Sequence, residues 1–233
     1  MASVAEAIKL PFTDGRKLLI GTVLGLGGVL ATFGAVAAGL GAVLALVLGL
    51  FTSGYSIRLA QSVMKGKFIL PEWTEWGDLF VKGLIATIIS LIWFIPTLVI
   101  GGIALGSAVL GGLSGTLDIG SLAGGALFGA ILTGLVGALT LYLLPSAIFT
   151  YAKQERFGAG FDFGTIAAHA FSIPYFVGGL LALGLIALST AIEFPIGLYL
   201  QWTYVVPGIV SAFLGFAIGV AGNALLAEGW SEA

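Results

Sequence analysis

The chain has 233 residues, of which 59% are hydrophobic and only 9% charged, with a mean hydropathy of +1.14. A water-soluble domain carries roughly a quarter charged residues, so this composition makes lipid the solvent for most of the surface. A formal charge of -2 leaves no nucleic-acid footprint, the absence of cysteine removes thiolate and disulfide chemistry, and a single histidine excludes a multi-histidine metal site.

Residues 1–17 read as a surface arm, with Ala5, Ile8, Leu10 and Phe12 apolar and Lys9, Asp14, Arg16 and Lys17 charged. Residues 18–53 carry no charge at all. A helix needs about 20 residues to cross a bilayer, so this run is too long for one ordinary crossing and slightly short for two. Cations flank it on both sides, and cations favour the cytoplasmic face. An even number of crossings follows: a hairpin, as two full spans or a re-entrant pair, turning near Phe33 to Gly41. A single long, strongly tilted helix is the competing reading. Ala35-Val36-Ala37 resembles a signal-peptide cleavage site, but the segment is read as a span.

Residues 54–83 form the longest polar island. Tyr55 and Arg58 place an aromatic ring and a cation where a span meets headgroups. Ile57, Ala60, Val63 and Met64 recur at helical spacing and predict a short amphipathic helix that Gly66 can stop. Pro71 suits the first position of a second interfacial helix, with Glu72 in its first turn. Trp73, Trp76, Leu79 and Phe80 share its apolar face, and Asp78 and Lys82 form an i,i+4 pair. Arg58 with Glu72, Glu75 or Asp78 makes a candidate ion-pair cluster. The 54–82 segment is therefore expected to be cytoplasmic and interfacial, with Trp73 and Trp76 at headgroup depth.

A span over 83–110 with Pro96 at its middle comes next, then a Gly/Ser turn over 111–121 with Asp118 and no cation. Residues 122–150 return, with Pro145 near the inner end. A second cytoplasmic segment, 151–164, contains Lys153 and Arg156, and its Asp162 is placed to cap the following helix. Residues 165–192 cross outward and contain His169 and Pro174. Residues 193–206 lack Lys and Arg and hold Tyr199, Trp202 and Tyr204, an outer aromatic belt. Residues 207–227 form the last span. The fold class expected is all-α: a polytopic bundle of about six membrane helices with short interfacial helices, in one integral membrane domain, with both termini cytoplasmic.

Gly54-Tyr55 with Arg58, Leu70-Pro71-Glu72, Trp76-Gly77-Asp78-Leu79-Phe80 with Gly83, and Gly160-Phe161-Asp162-Phe163-Gly164 resemble the domain of unknown function 4013 family, from about the first span to the last. The block from Leu70 to Gly83 is the specific part. The resemblance implies an archaeal multi-pass membrane protein, distantly similar to the membrane domains attached to some glycerophosphodiesterases. It implies no activity.

The candidate lipid and interface residues are Tyr55, Arg58, Lys65, Lys67, Trp73, Trp76, Lys82, Lys153 and Arg156. Glu193 and His169 are the candidate intramembrane polar groups, since an ionisable residue in a span is a functional candidate by default. Pro71, Gly77, Asp78 and Asp162 are structural motif positions. Gly21/Gly25, Gly102/Gly106, Gly125/Gly129 and Gly215/Gly219 have the small-xxx-small spacing that allows close helix approach. There is no phosphate loop, no zinc-protease motif and no nucleophile elbow, so no enzyme activity and no cofactor are expected. The expected function is a structural, accessory or lipid-interacting membrane protein, with membrane lipids as partners and contact to a second copy or to other membrane proteins through glycine-rich faces. The alternative is a transporter or channel for a small or lipid-like substrate, built on four proline-interrupted spans, with Pro96, Pro145, Pro174 and, near the start of its span, Pro207. A water-lined cavity at mid-bilayer would favour transport, and a dry glycine-packed core the structural reading.

Overall fold

The computed structural model of the chain describes residues 4–34, 40–114, 119–199 and 205–233. All regular structure among them is helical: α1 (Val4–Lys9), a 3-10 turn (Leu10–Thr13), α2 (Gly15–Gly34), α3 (Leu40–Met64), α4 (Trp76–Ser114), α5 (Ile119–Gln154), a second 3-10 turn (Phe157–Phe161), α6 (Phe163–Ala170), α7 (Ile173–Tyr199) and α8 (Val205–Ser231). Backbone polar groups cannot meet water in hydrocarbon, and the helix satisfies them internally. Five of these helices, α3, α4, α5, α7 and α8, are long and apolar enough to cross a membrane. The chain is a multi-span helical membrane protein. α2 has 20 residues and no charge after Lys17, a length of about 30 Å at 1.5 Å per residue.

The hairpin expected over residues 18–53 corresponds to α2 and α3, which pack on each other and on α8; its turn lies outside the described residues. Lys17 at the start of α2 bonds Glu72, beyond the end of α3, at 2.6 Å. The arm and the polar island therefore lie at the same end of the α2–α3 pair. This requires an even number of passages between them.

Several boundaries differ from the sequence expectation. No helix break occurs at Gly54, because α3 carries its apolar character straight through Tyr55, Leu59 and Val63 to Met64. The stop is where Gly66 adopts φ +74°. Residues 67–75 are irregular, so Pro71 and Glu72 start no helix. α4 begins at Trp76 and runs unbroken into the span, which leaves no separate interfacial helix. The expected crossing over 165–192 is two helices: Ser172 Oγ accepts the Tyr175 N–H at 3.3 Å, and Pro174 sits in the first turn of α7, so the chain restarts there. Pro174 thus opens a span rather than interrupting one, whereas α4, α5 and α7 continue through Pro96, Pro145 and Pro195. Asp118, Trp202 and Tyr204 lie outside the described residues.

The chain packs as two compact units: residues 1–87 with 146–233, and residues 88–145. In the first, α3 and α4 cross backbone to backbone. A Cβ on Gly54 would collide with the Leu79 carbonyl, and one on Gly83 with the Leu50 carbonyl. α7 and α8 cross in the same way, with Gly178 against the Leu225 carbonyl, 2.7 Å from where a Cβ would stand. Gly21 receives the Phe216 ring and Gly25 the Ala212 backbone. In the second unit Gly129 lies on Ala104, and the Thr97 and Thr140 hydroxyls meet at 3.4 Å. Gly102, Gly106, Gly125, Gly215 and Gly219 have open space where a Cβ would stand. Small-residue spacing therefore overstates helix contact at Gly125 and Gly215, because it marks a face without saying what lies opposite.

Candidate functional site

Three groups of side chains gather in the first unit. The first clamps the polar island. Arg58 Nε and Nη2 donate to Asp78 Oδ2 at 3.0 and 2.7 Å, Nη2 also donates to Glu75 Oε2 at 2.8 Å, and Nη1 donates to the Thr74 carbonyl at 2.8 Å. Lys82 lies 3.2 Å from the same Asp78 oxygen and 3.6 Å from Glu155. Gln61 joins α3 to the end of α5, donating to the Ala152 carbonyl and to Glu155 Oε1, both at 2.8 Å. Glu75 and Glu155 are the two non-glycine residues with positive φ among the described residues, at 54° and 52°. Each turns the chain at a helix end, and each is gripped by this network. Such conformations persist where the surroundings over-determine them.

Beside the network stand the aromatic rings. Tyr55 and Trp73 stack at 4.0 Å and Trp73 and Trp76 at 5.9 Å, while Phe216 approaches the first pair. The Trp73 indole N–H donates to the Lys17 carbonyl at 3.1 Å. Trp73 is buried within the protein, and only Trp76 is open, at 45% exposure. The expectation of one shared apolar face fails for this pair because residues 71–75 are not helical. Glu72 pairs with Lys17, not with Arg58.

The second group surrounds Trp230 near the C-terminal end of α8. Its indole N–H donates to Ser146 Oγ at 3.0 Å, and Ser146 donates to the Ile166 carbonyl at 3.0 Å. His169 stacks on the ring at 4.1 Å, and the Lys153 ammonium lies 5.0 Å from its centroid, a cation–π distance. His169 Nδ1 lies 2.8 Å from the Thr165 carbonyl. Asp162 caps α6 as expected, accepting from the Thr165 N–H and hydroxyl at 3.2 and 2.7 Å. The Thr165 hydroxyl and N–H hold the Asp162 carboxyl below its ordinary range, and the Lys17 and Arg16 N–H groups do the same for Asp14.

The third group lies within the spans. A cavity of about 400 Å³ opens among α2, α3 and α8, walled by Gly25, Thr52, Ser53, Ser56, Ser211 and Phe216. Ser211 donates to Glu193 Oε2 on α7 at 2.8 Å. Glu193 in turn lines a second cavity of about 430 Å³ with Thr190, Phe194 and Leu198. Among the described residues no group of three or more His, Asp or Glu side chains could hold a metal ion.

Arg58, Lys82 and Asp78 thus belong to one clamp, joined by Gln61 and Glu155, while Trp73 is tied to Lys17 beside it. Lys65 and Lys67 stand exposed on the loop after α3, beside exposed Ile69, and Arg156 is exposed next to Phe157. Pro71 is half-buried in the loop, and Gly77 is exposed in the first turn of α4. Ser146, Trp230, Thr52, Ser56 and Ser211 escaped sequence reasoning. A lone serine or threonine in an apolar run carries no signal until its neighbours in space are known.

The sequence matches the family described as Protein of unknown function (DUF4013) over residues 37–227. The chain belongs to this family. No curated protein and no solved structure matches it. In this DUF4013 chain the motif residues have visible structural uses: Gly54 and Gly83 let α3 and α4 touch, Asp78 receives Arg58, and Asp162 starts α6.

Proposed function

We propose that the protein is a lipid-interacting membrane protein that acts by binding, holding a small lipid-like molecule in the cavity among α2, α3 and α8. The cavity carries this reading. Its volume of about 400 Å³ falls in the ~300–1,000 Å³ range of small-molecule sites, and it combines apolar walls with a few convergent polar groups. Binding rather than catalysis is supported by the position of His169, which packs on Trp230 and engages the Thr165 carbonyl instead of the cavity hydroxyls. In this reading the cation-bearing arm, the 54–82 and 151–164 segments and both termini face the cytoplasm. Lys65, Lys67 and Arg156 meet anionic headgroups there. The exposed apolar faces meet lipid or a second copy of the chain.

The test is native mass spectrometry of protein purified in a mild non-ionic detergent. Wild type is expected to retain a bound amphiphile, and Gly215→Trp, which fills the cavity from its wall, to lose it while keeping its melting temperature. A wild-type spectrum with no bound mass, identical to that of the filled variant, overturns the reading.

A second reading, transport of a small or lipid-like substrate, draws on the Glu193–Ser211 hydrogen bond, which joins the walls of two cavities. Counterflow of a labelled amphiphile across reconstituted vesicles tests it, and binding without flux eliminates it.

A further inference from the structure

We infer that the α2–α3–α8 cavity is an acceptor-rich site, selective for amphiphiles whose head donates hydrogen bonds or carries positive charge, with a primary ammonium favoured over a carboxylate. This deepens the function proposed above and rests on it. The inference comes from following the hydroxyl hydrogens of three of the four wall hydroxyls, those of Thr52, Ser56 and Ser211. The Thr52 hydroxyl donates to the Gly49 carbonyl at 2.9 Å, and the Ser56 hydroxyl donates to the Thr52 carbonyl at 3.0 Å. The Ser211 hydroxyl donates to Glu193 at 2.8 Å. A hydroxyl has one hydrogen and two lone pairs, so each of these three offers the cavity only its acceptor side. The backbone N–H groups of the three helices are engaged in their own ladders. Among the described residues no Lys, Arg or His, and no Asn, Gln or Trp, lines the cavity.

The carboxylate behind Ser211 adds a negative field at that end of the wall. In a low-dielectric surrounding that field is strong, and it favours a cation while penalising an anion. Anywhere but at Ser53, an acceptor-bearing guest would have to turn a hydroxyl away from its present partner, losing one hydrogen bond to form another. A donor-bearing guest finds the lone pairs already presented. Phe216 and Gly25 leave the rest of the wall apolar, which suits an alkyl chain. Ser53, the fourth hydroxyl in the wall, has no hydrogen-bond partner among the described residues, so it is the one wall hydroxyl free to donate as well as to accept.

The test compares three probes of equal chain length, decylammonium, decanol and decanoate, by titration calorimetry of the full-length protein in non-ionic detergent. Decylammonium is expected to bind about tenfold or more tightly than decanoate, the weight of one charge-assisted hydrogen bond, with decanol between them. Thr52→Val, which keeps the side-chain shape and removes the oxygen, and Glu193→Gln are each expected to narrow that ratio severalfold. Glu72→Gln, on the surface, should leave it unchanged. Equal affinities, or tighter decanoate, overturn the inference while leaving the binding function standing. A wild-type ratio that survives both cavity variants also overturns it, by placing the preference elsewhere on the protein. If none of the three probes binds, the binding function itself falls.

Discussion

The two packing units use different physics on the same kind of apolar sequence. In the first, residues 1–87 with 146–233, helices are joined by carbonyls resting on glycines, a stack of buried rings and a branched ion network. In the second, residues 88–145, the joints among the described residues include Gly129 on Ala104, Gly137 and Gly101 near threonine methyls, and a hydroxyl pair. The spans of α4 and α5, which supply the second unit, are 6% and 11% buried, against 39% for α8. Ile103, Leu105 and Phe128 are about two-thirds exposed. In lipid an exposed apolar side chain costs nothing, so helices of the second unit need few protein contacts to be stable in place. Every charged side chain but Asp118 belongs to the first unit, and charged groups need partners of their own.

The sharpest way to break the comparison is at the crossing glycines. Gly54→Leu or Gly83→Leu forces a side chain into a carbonyl of the facing helix, and backbone cannot yield as a flexible side chain can. A loss of about 3 kcal/mol or more is expected, with aggregation on size-exclusion chromatography. Gly125→Leu, in the second unit, has open space beside it and should elute and melt as wild type. Equal damage from both would mean that a molecule outside the chain covers Gly125.

A smaller effect is expected at the clamp. Arg58→Met keeps the stem that packs along α3 but leaves Asp78 and Glu75 without their guanidinium. Breaking a buried pair costs roughly 3–5 kcal/mol, but Asp78 and Glu75 are 41% and 76% exposed, so about 1–2 kcal/mol is the expected loss of stability. The readout is a lower melting temperature together with faster proteolysis between residues 65 and 76. Arg58→Lys should recover only part of it, because an ammonium cannot copy the forked geometry.

Within the second unit, Thr97→Val should cost under ~1 kcal/mol, the value of one modest hydrogen bond, since a helical threonine such as Thr140 can turn its hydroxyl to a carbonyl one turn back. Hydrogen exchange over residues 88–145 is expected to be faster in detergent than in nanodiscs, with little difference over α8. A unit held mainly by its own contacts would show no such medium dependence.

Much of this was legible in the chain itself. Residues 18–53 announced a hairpin through length and flanking cations, and Asp78–Lys82 and Asp162 announced an i,i+4 pair and a cap through spacing alone. Local periodicity reads such features because they are local. The break between α6 and α7 was also written in Ser172-Ile173-Pro174, a cap followed by a first-turn proline, but the apolar run around it hid the signal. Gly54 and Gly83 stood in the family motif without a stated use. Their role depends on a helix-to-helix register that no single-sequence period contains. The same holds for Gln61 with Glu155, 94 residues apart, and for the cavity hydroxyls, drawn from α3 and α8.

The smallest expected effect is acid loosening confined to the first unit. Asp14 and Asp162 both cap helices, and both are held below the ordinary aspartate value of 3.8 by hydrogen bonds they accept in the fold. A carboxylate with a depressed folded value contributes stability that is fully present above its unfolded value. That contribution declines as pH falls below about 4 and is gone once pH has passed through the folded value. Protonation removes an acceptor from the starts of α2 and α6, so their first turns should exchange faster below pH 4. Residues 88–145 contain one ionisable acid, Asp118, and no base, so that unit has almost nothing to titrate. Hydrogen exchange at pH-corrected labelling times, compared at pH 6 and pH 3.5, should therefore change at residues 15–18 and 163–166 and stay flat across the spans of α4 and α5. Asp162→Asn should abolish the pH response at α6 alone, because asparagine still accepts the Thr165 N–H but does not titrate. A response at α6 that persists in Asp162→Asn would assign the acid sensitivity to some other group and remove the caps from the account of why the first unit holds together.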